Sequence, residues 1–374
     1  MSTRGPYNAK AVRLAEQLAG EIRRGRYPSG SHLPAERVLA NDYGAARETI
    51  RRAVMLLEQR RVLRRVPHRG VMVLGADGPA ISVAPRGLRT IAVVLASEPD
   101  GGMGLIQAGV RDYARERGYT LRSIISSDDP ERPFQVLDRF DAAGIDGAIV
   151  LPYPGREHRE VLERLWPRGL PVVCVERRSA ALKVPSVEID NAAGMYRAVR
   201  HLLVNHRRPV WYLSLRPGHH TDRTRYDGYC RAMTDAGYGD RITARTLWHP
   251  WSTDDPRYWH AQNPWQQGYE VAQQLFTNHQ ERFWSVACLK DDIAWGLYRA
   301  ANERGLTIGR EVMVTGFDDH PYAAELDPPL TTVRQPFRDK GYQAARLLDR
   351  AMVDGFHAPV QVTLGVELVV RKSG

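Results

Sequence analysis

The sequence predicts a multidomain protein, a small α+β head followed by a larger α/β body of two similar lobes. Three observations carry this reading. The chain has 374 residues, which by length suggests two or three domains. Positive charge is crowded at one end, since residues 1–75 hold 15 Lys and Arg against 6 Asp and Glu while the remainder holds 38 against 37. From residue 89 onward, apolar strand-like runs alternate with helix-like stretches, the pattern of parallel sheets covered on both faces.

The head is organised around residues 33–53, LPAERVLANDYGAARETIRRA. Pro34 and Glu36 suit a helix start, and Gly44 suits a helix stop because glycine accepts the left-handed conformation. A second helix is expected over 46–59. Ile50, Ala53, Val54 and Leu57 recur at helical spacing and form its buried stripe, while Arg47, Glu48, Arg51 and Arg52 lie off that stripe. Such a helix suits the DNA major groove; a solvated charged helix is the plainer alternative. Its neighbours favour the groove. Ala11, Leu14, Ala15, Leu18 and Ile22 form an amphipathic first helix, and 62–66 and 71–74 alternate like two strands joined by Pro67-His68-Arg69-Gly70. Three helices and a basic-tipped hairpin make a winged helix-turn-helix.

The runs I-x-x-G-x-Y-x-x-G-x-x-L-P-A-E-R-x-L-A, A-R-E-T-I-R-R-A and H-R-G-V-x-V together resemble the GntR-type DNA-binding domain over about residues 7–74. The resemblance implies that Arg37, Arg47 and Arg51 contact phosphates or guanine edges. It implies a backbone contact by Thr49, and a wing of His68, Arg69 and Gly70 in the minor groove. The family often carries a hydroxyl residue just before the first arginine of the recognition helix; here Ala46 stands there, so one N-cap is missing.

The basic head on a near-neutral body points to a polyanion partner for the head alone. A basic membrane-binding segment is disfavoured, because the basic residues punctuate a folded motif. No apolar run approaches the roughly 18 residues of a membrane span, and MSTRGPYNAK lacks the apolar core of a secretory signal, so a cytoplasmic protein is expected. Cys174, Cys230 and Cys288 match neither a zinc nor a disulfide pattern and read as ordinary buried thiols. Neither a metal nor a cofactor is expected.

Residues 75–88, rich in Gly, Pro and Ala, read as a linker, giving expected domains at 1–75 and 89–374 with 76–88 between them. In the first lobe, strands are expected at 90–96, 121–125, 147–151 and 171–176, with helical stretches at 105–117, 134–142 and 162–166. In the second, strands are expected at 209–215, 285–290 and 312–317, with helices at 192–205, 224–236, 266–278 and 292–304. Ligands of such sheets bind outside the carboxyl ends of the strands.

The phrases PSVEIDNAAG, RYDGY, KDDIAWG, VTGFDD and PPLTTVRQPFRDKGYQAARLL then stand in order, and over about 89–372 they resemble the LacI-type effector domain, itself similar to periplasmic sugar-binding proteins. The helix-turn-helix and hinge helix usual to that type are absent. A GntR-like head on a LacI-like body resembles the arabinose-repressor architecture. It implies a homodimeric repressor that grips operator DNA and answers to a small polar effector, a sugar or sugar derivative. The resemblance places effector contacts at Arg225 and Asp318, with Gln335 and Phe337 from the crossover after TTV and Glu176 from the first lobe. A carboxylate can accept from two adjacent sugar hydroxyls while a guanidinium donates to others.

Lys290 stands where the family commonly has Asn. Its ammonium either favours an acidic or phosphorylated sugar or pairs with Asp291 or Asp292. The segment 248–265, with four tryptophans and Tyr258, reads either as a lid over the cleft, as a surface excursion covering its own base, or as a dimer contact. The alternative functions are a sugar-binding protein or a sugar-processing enzyme. Asp291-Asp292 and Asp318-Asp319 are paired carboxylates, but adjacent residues give no acid/base pair across a bond, and no catalytic residue is assigned. A binding comparison of neutral sugars with uronates and sugar phosphates decides how Lys290 is used; no preference for the anions removes the acidic-sugar reading.

Overall fold

A computed structural model describes residues 6–28, 30–59, 62–66, 70–74, 89–95, 101–125, 139–140, 143–150, 170–176, 184–252, 255, 263–354 and 360–374. The chain divides into two compact units, Met1–Gly87 and Leu88–Gly374. The expected linker at 75–88, apart from Leu88's place in the second unit, and the helical stretches expected at 134–142 and 162–166 fall outside the described residues, save 139 and 140.

The first unit contains α1 (Pro6–Arg23), α2 (Glu36–Asp42), α3 (Arg47–Gln59), β1 (Leu63–Val66) and β2 (Gly70–Val73). The apolar stripes of α1 and α3 meet, with Leu14, Ala15, Leu18 and Ile22 against Ile50, Ala53, Val54 and Leu57; Leu39 from α2 and Leu63 and Val73 from the hairpin close the core. Each buried aliphatic side chain contributes about 1.5–3 kcal/mol. A polar staple supplements this core, as Tyr43 Oη and Arg26 Nη1 both donate to the Glu21 carboxylate, at 2.6 and 2.8 Å. The hairpin is antiparallel, with Leu63 opposite Val73. Gly70 takes φ 90, which a residue with a Cβ rarely adopts.

The second unit consists of two lobes of the same design. In the first lobe β3 (Thr90–Leu95), β4 (Thr120–Ile125), β5 (Gly147–Val150), β6 (Val172–Val175), β7 (Ser186–Ile189) and β13 (Gln361–Leu364) lie in the order β13-β7-β6-β5-β3-β4, all parallel. In the second, β8 (Trp211–Arg216), β9 (Thr246–Ser252), β10 (Trp284–Cys288), β11 (Val312–Asp318), β12 (Thr331–Arg334) and β14 (Glu367–Val369) lie in the order β14-β12-β11-β10-β8-β9. Only β14 runs antiparallel to its neighbour. The helices are α4 (Gly101–Arg117) in the first lobe, then α5 (Asn191–His206), α6 (His220–Asp235), α7 (Gln266–Asn278) and α8 (Asp291–Glu303) in the second. The last, α9 (Phe337–Asp354), returns to the first lobe, where it packs on α4 and on strands β5 to β7. The chain therefore passes between lobes three times, after β7, after β12 and after β13.

Strand interiors such as Ile91–Leu95 and Val172–Val175 are buried on both faces, which explains their unbroken apolar runs. Of the three readings of the Trp-rich segment, its described part follows the one in which the rings cover their own base. Its first part is the edge strand β9, because aromatic residues suit a half-buried pleated surface. Trp248 packs edge-on to Tyr212 and Tyr226, ring centroids 5.9 and 5.0 Å apart, and so belongs to the second lobe's own core. Trp265 lies under the Arg299 guanidinium at 3.9 Å. These two rings cover their own base rather than the cleft; Tyr258, Trp259 and His260 lie outside the described residues.

α4 and α9 are in unusually close approach. A Cβ on Gly109 would lie 1.8 Å from the Arg338 carbonyl oxygen, so only glycine fits. Gly109→Ala should destabilise the chain by about 1–3 kcal/mol or more, read from denaturant unfolding. Gly365→Ala, which meets nothing within 4 Å, should stay within about 0.5 kcal/mol of the parent. Equal stability of the two variants would contradict this packing.

Candidate functional site

In the head, α3 presents Arg47, Arg51 and Arg52 to solvent, and α2 presents Arg37. Arg51 holds loose surface pairs with Glu36 at 3.4 Å and Glu48 at 3.3 Å, weak enough to yield to a phosphate. The expected contact through Thr49 needs correction. Thr49 lies four and eight residues before Ala53 and Leu57, shares their buried stripe and is only 4% exposed. Gly70 is described and exposed at the start of β2; His68 and Arg69 lie outside the described residues.

In the body, the polar residues singled out from the sequence converge where the carboxyl ends of the two sheets meet. Asp318 is the last residue of β11, and its φ of 118 turns the backbone sharply at that point. Arg225 reaches it from α6. Gly228, one turn on, lets α6 approach α5 until its Cβ position is 2.3 Å from the Ala192 carbonyl oxygen, so a larger residue would push Arg225 away. All three guanidinium nitrogens donate. Nε donates to Asn191 Oδ1 at 2.9 Å, Nη1 to the Leu289 carbonyl at 2.9 Å, and Nη2 to Asp318 Oδ1 at 3.2 Å. Its face lies 3.8 Å from the Phe317 ring centroid. Arg225 is 5% and Asp318 8% exposed, so the pair is one of buried charges held by packing and hydrogen bonds.

Gln335, in the crossover after β12, donates Nε2 to the same Asp318 oxygen at 2.5 Å. Asp318 Oδ1 thus accepts twice, while Oδ2 has His320 Nε2 at 3.8 Å as a polar side-chain neighbour among the described residues. The simple picture of a carboxylate offering both oxygens to a sugar is therefore corrected to one oxygen already engaged by protein. Phe337 packs its ring on the α4 start, where a Cβ on Gly102 would sit 2.8 Å from it, and stacks with His320 at 6.1 Å. Glu176 follows β6 with φ 71, and its carbonyl accepts from Thr221 Oγ1 of the other lobe at 3.2 Å. Its carboxylate pairs with Lys340, a residue the sequence did not mark, because nothing in the run Asp339-Lys340-Gly341 signals burial.

Lys290 is committed elsewhere. Its ammonium pairs with Asp292, whose other oxygen accepts from Tyr322 Oη. Burial alone would raise the Asp292 pKa, but the Lys290 ammonium holds it below the usual range. Of the two uses considered for Lys290, the structure has the ion pair, and the effector contact is withdrawn.

The paired carboxylates of the enzyme reading are also accounted for. Asp291 is fully buried, accepting from Thr332 Oγ1 at 2.5 Å and from the His320 N–H at 2.9 Å. Burial and the nearby Asp318 charge push its pKa well above the usual range. Asp319 is clamped by Arg334 and Arg371, each at 2.7 Å. Neither pair faces open space as an acid and a base would.

Removing one member of the Arg225–Asp318 pair strands the other. Arg225→Met should cost about 3–5 kcal/mol of unfolding free energy, and the double variant Arg225→Met/Asp318→Leu appreciably less. Equal costs for the single and double variants would show that the pair is not coupled.

Comparison with known proteins agrees with this division. Residues 10–73 match the model of bacterial regulatory proteins of the gntR family, and residues 199–374 match the periplasmic binding protein-like domain. The arabinose metabolism transcriptional repressor of Geobacillus stearothermophilus is 25% identical over 97% of both chains. The transcription regulator CcpA of Lactococcus lactis has the same fold, with a TM-score of 0.65 at 23% identity over 77% of this chain and 99% of that one. The transcriptional regulator CelR in complex with cellobiose gives 0.65 at 20% identity over 91% and 100%. The chain joins a head that matches the gntR model to a body that matches the periplasmic binding protein-like domain and has the fold of LacI-type regulators, the make-up of a DNA-binding transcription regulator.

Proposed function

We propose that this chain is a repressor whose grip on operator DNA is set by a small neutral or near-neutral polyhydroxylated effector, a sugar or sugar derivative, bound between the lobes of its body. The observation that carries the reading is the convergence of Arg225, Asp318, Asn191 and Gln335 from both sides of the lobe crossover, at the carboxyl ends of the second sheet. Buried donors and acceptors that satisfy one another in the free protein can exchange partners with hydroxyls at little net cost. The relatives support the sugar class, one through its name and one through its bound cellobiose.

The protein acts in the cytoplasm as a homodimer, since paired heads read two half-sites and a single small head is a poor specific binder. Arg37, Arg47 and Arg51 of each head hold phosphates or guanine edges, with His68, Arg69 and Gly70 as the wing. Effector contacts are Arg225, Asp318, Gln335, Phe337 and Glu176. Release of DNA on ligand binding requires the sugar to bind the two states of the body with different affinity.

The test uses the full chain and a duplex selected from a random pool for tight binding. Arg51→Ala should lower the steepness of the log affinity against log salt plot by about 1 and weaken binding by about 1–3 kcal/mol if it reads a base, with sugar binding unchanged. Asp318→Ala should keep duplex affinity and lose the response to arabinose or cellobiose. An Asp318 variant that lost the duplex and kept the sugar would overturn the division of labour.

A further inference from the structure

We propose that Lys340 is a positioning residue for effector recognition, whose buried ammonium sets which atoms of Glu176, Gln335 and Asp318 face the ligand. This rests on the reading of the cleft given above. Lys340 lies in the first turn of α9 and is 0% exposed, among the largest fully buried side chains in the chain. A buried ammonium needs acceptors, because it loses the strong hydration it had in water. Lys340 has two, Gln335 Oε1 at 2.7 Å and the Glu176 carboxylate, and it lies 4.8 Å from the Phe337 ring centroid. Burial pushes its pKa well down, so both acceptors matter to its charge.

Two consequences follow from hydrogen-bond chemistry. An amide has one acceptor end and one donor end, whereas an ammonium can only donate. With Oε1 taken by Lys340, Gln335 must turn Nε2 to Asp318, as observed at 2.5 Å. That fills Asp318 Oδ1, already the acceptor of Arg225 Nη2, and leaves Oδ2 for a hydroxyl of the effector. At the other end, Glu176 Oε1 is buried without another hydrogen-bond partner among the described residues. Lys340 therefore anchors the turn after β6, whose Glu176 carbonyl is tied to Thr221 in the second lobe. One lysine from the first lobe thus orders a polar chain, Glu176–Lys340–Gln335–Asp318–Arg225, that runs into the second lobe.

The test uses the full-length chain with arabinose and cellobiose as probes, and the variants Lys340→Met, Lys340→Arg and Lys340→Met/Glu176→Gln. Calorimetry gives probe affinity, thermal unfolding gives stability, and deuterium exchange of the free protein reads residues 172–176 and 335–340. Lys340→Met should weaken probe binding by about tenfold or more and speed exchange in both segments. Lys340→Arg should retain part of the affinity. The double variant, with no carboxylate left unpaired, should regain stability without regaining affinity. It also carries the test if Lys340→Met fails to fold. Glu176→Gln alone, measured beside it, gives the loss due to Glu176 itself; a merely structural ion pair would leave the double variant binding the probes as Glu176→Gln does, and that result overturns the proposal, as does unchanged affinity in Lys340→Met. If neither sugar binds the parent chain, the sugar reading falls by itself. Exchange then decides on Lys340, and unchanged exchange at 335–340 overturns it.

Discussion

Asp318 Oδ1 is a single oxygen on which a strand end, a helix and an interlobe crossover all converge. Arg225 donates to it from α6 and Gln335 from the segment that leaves the second lobe. A carboxylate buried to this degree must be paired, or it loses far more solvation than any packing returns. The surrounding backbone is shaped to meet that demand. Asp318 turns through a left-handed conformation, and Gly228 lets α6 sink against α5 so that the guanidinium arrives at the right depth. The second use of the same guanidinium, on the Leu289 carbonyl at the end of β10, ties a third strand to the site.

The sheet orders explain why a cleft exists where this oxygen lies. Both lobes place the strand that comes first in sequence inside the sheet and add strands on either side of it, the arrangement that leaves a crevice at the carboxyl edge. Three crossovers hold the lobes together there. Thr221 to Glu176 and Gln335 to Asp318 are bonds across that junction, made by side chains that can take new partners. Under the proposed function, a hydroxylated ligand seated against these groups would shift the balance between two arrangements of the body without breaking either core, and its effect would equal its differential affinity for the two.

Much of this was legible in the sequence for identifiable reasons. Strong periodicity marked α3, α7 and the buried strands, and RYDGY and VTGFDD led to Arg225 and Asp318. Boundaries slipped where local signals were weak: α4 starts at Gly101, four residues before its apolar pattern begins. One reading failed for lack of depth information: Thr49 looked like a surface hydroxyl but shares the buried stripe of Ala53 and Leu57. Lys340 carried no signal in the sequence, and only tertiary packing shows it enclosed. Lys290 was ambiguous because two carboxylates follow it directly, and the choice between them depends on side-chain reach.

If one equilibrium of the body is felt by both sugar and DNA, thermodynamic linkage makes the coupling measurable. The affinity of the full-length chain for arabinose or cellobiose should be measured with and without saturating operator duplex, at fixed salt. The account predicts that the duplex changes sugar affinity by the same factor by which the sugar changes duplex affinity, and that this factor differs clearly from one. Sugar affinity that is indifferent to bound DNA would contradict it.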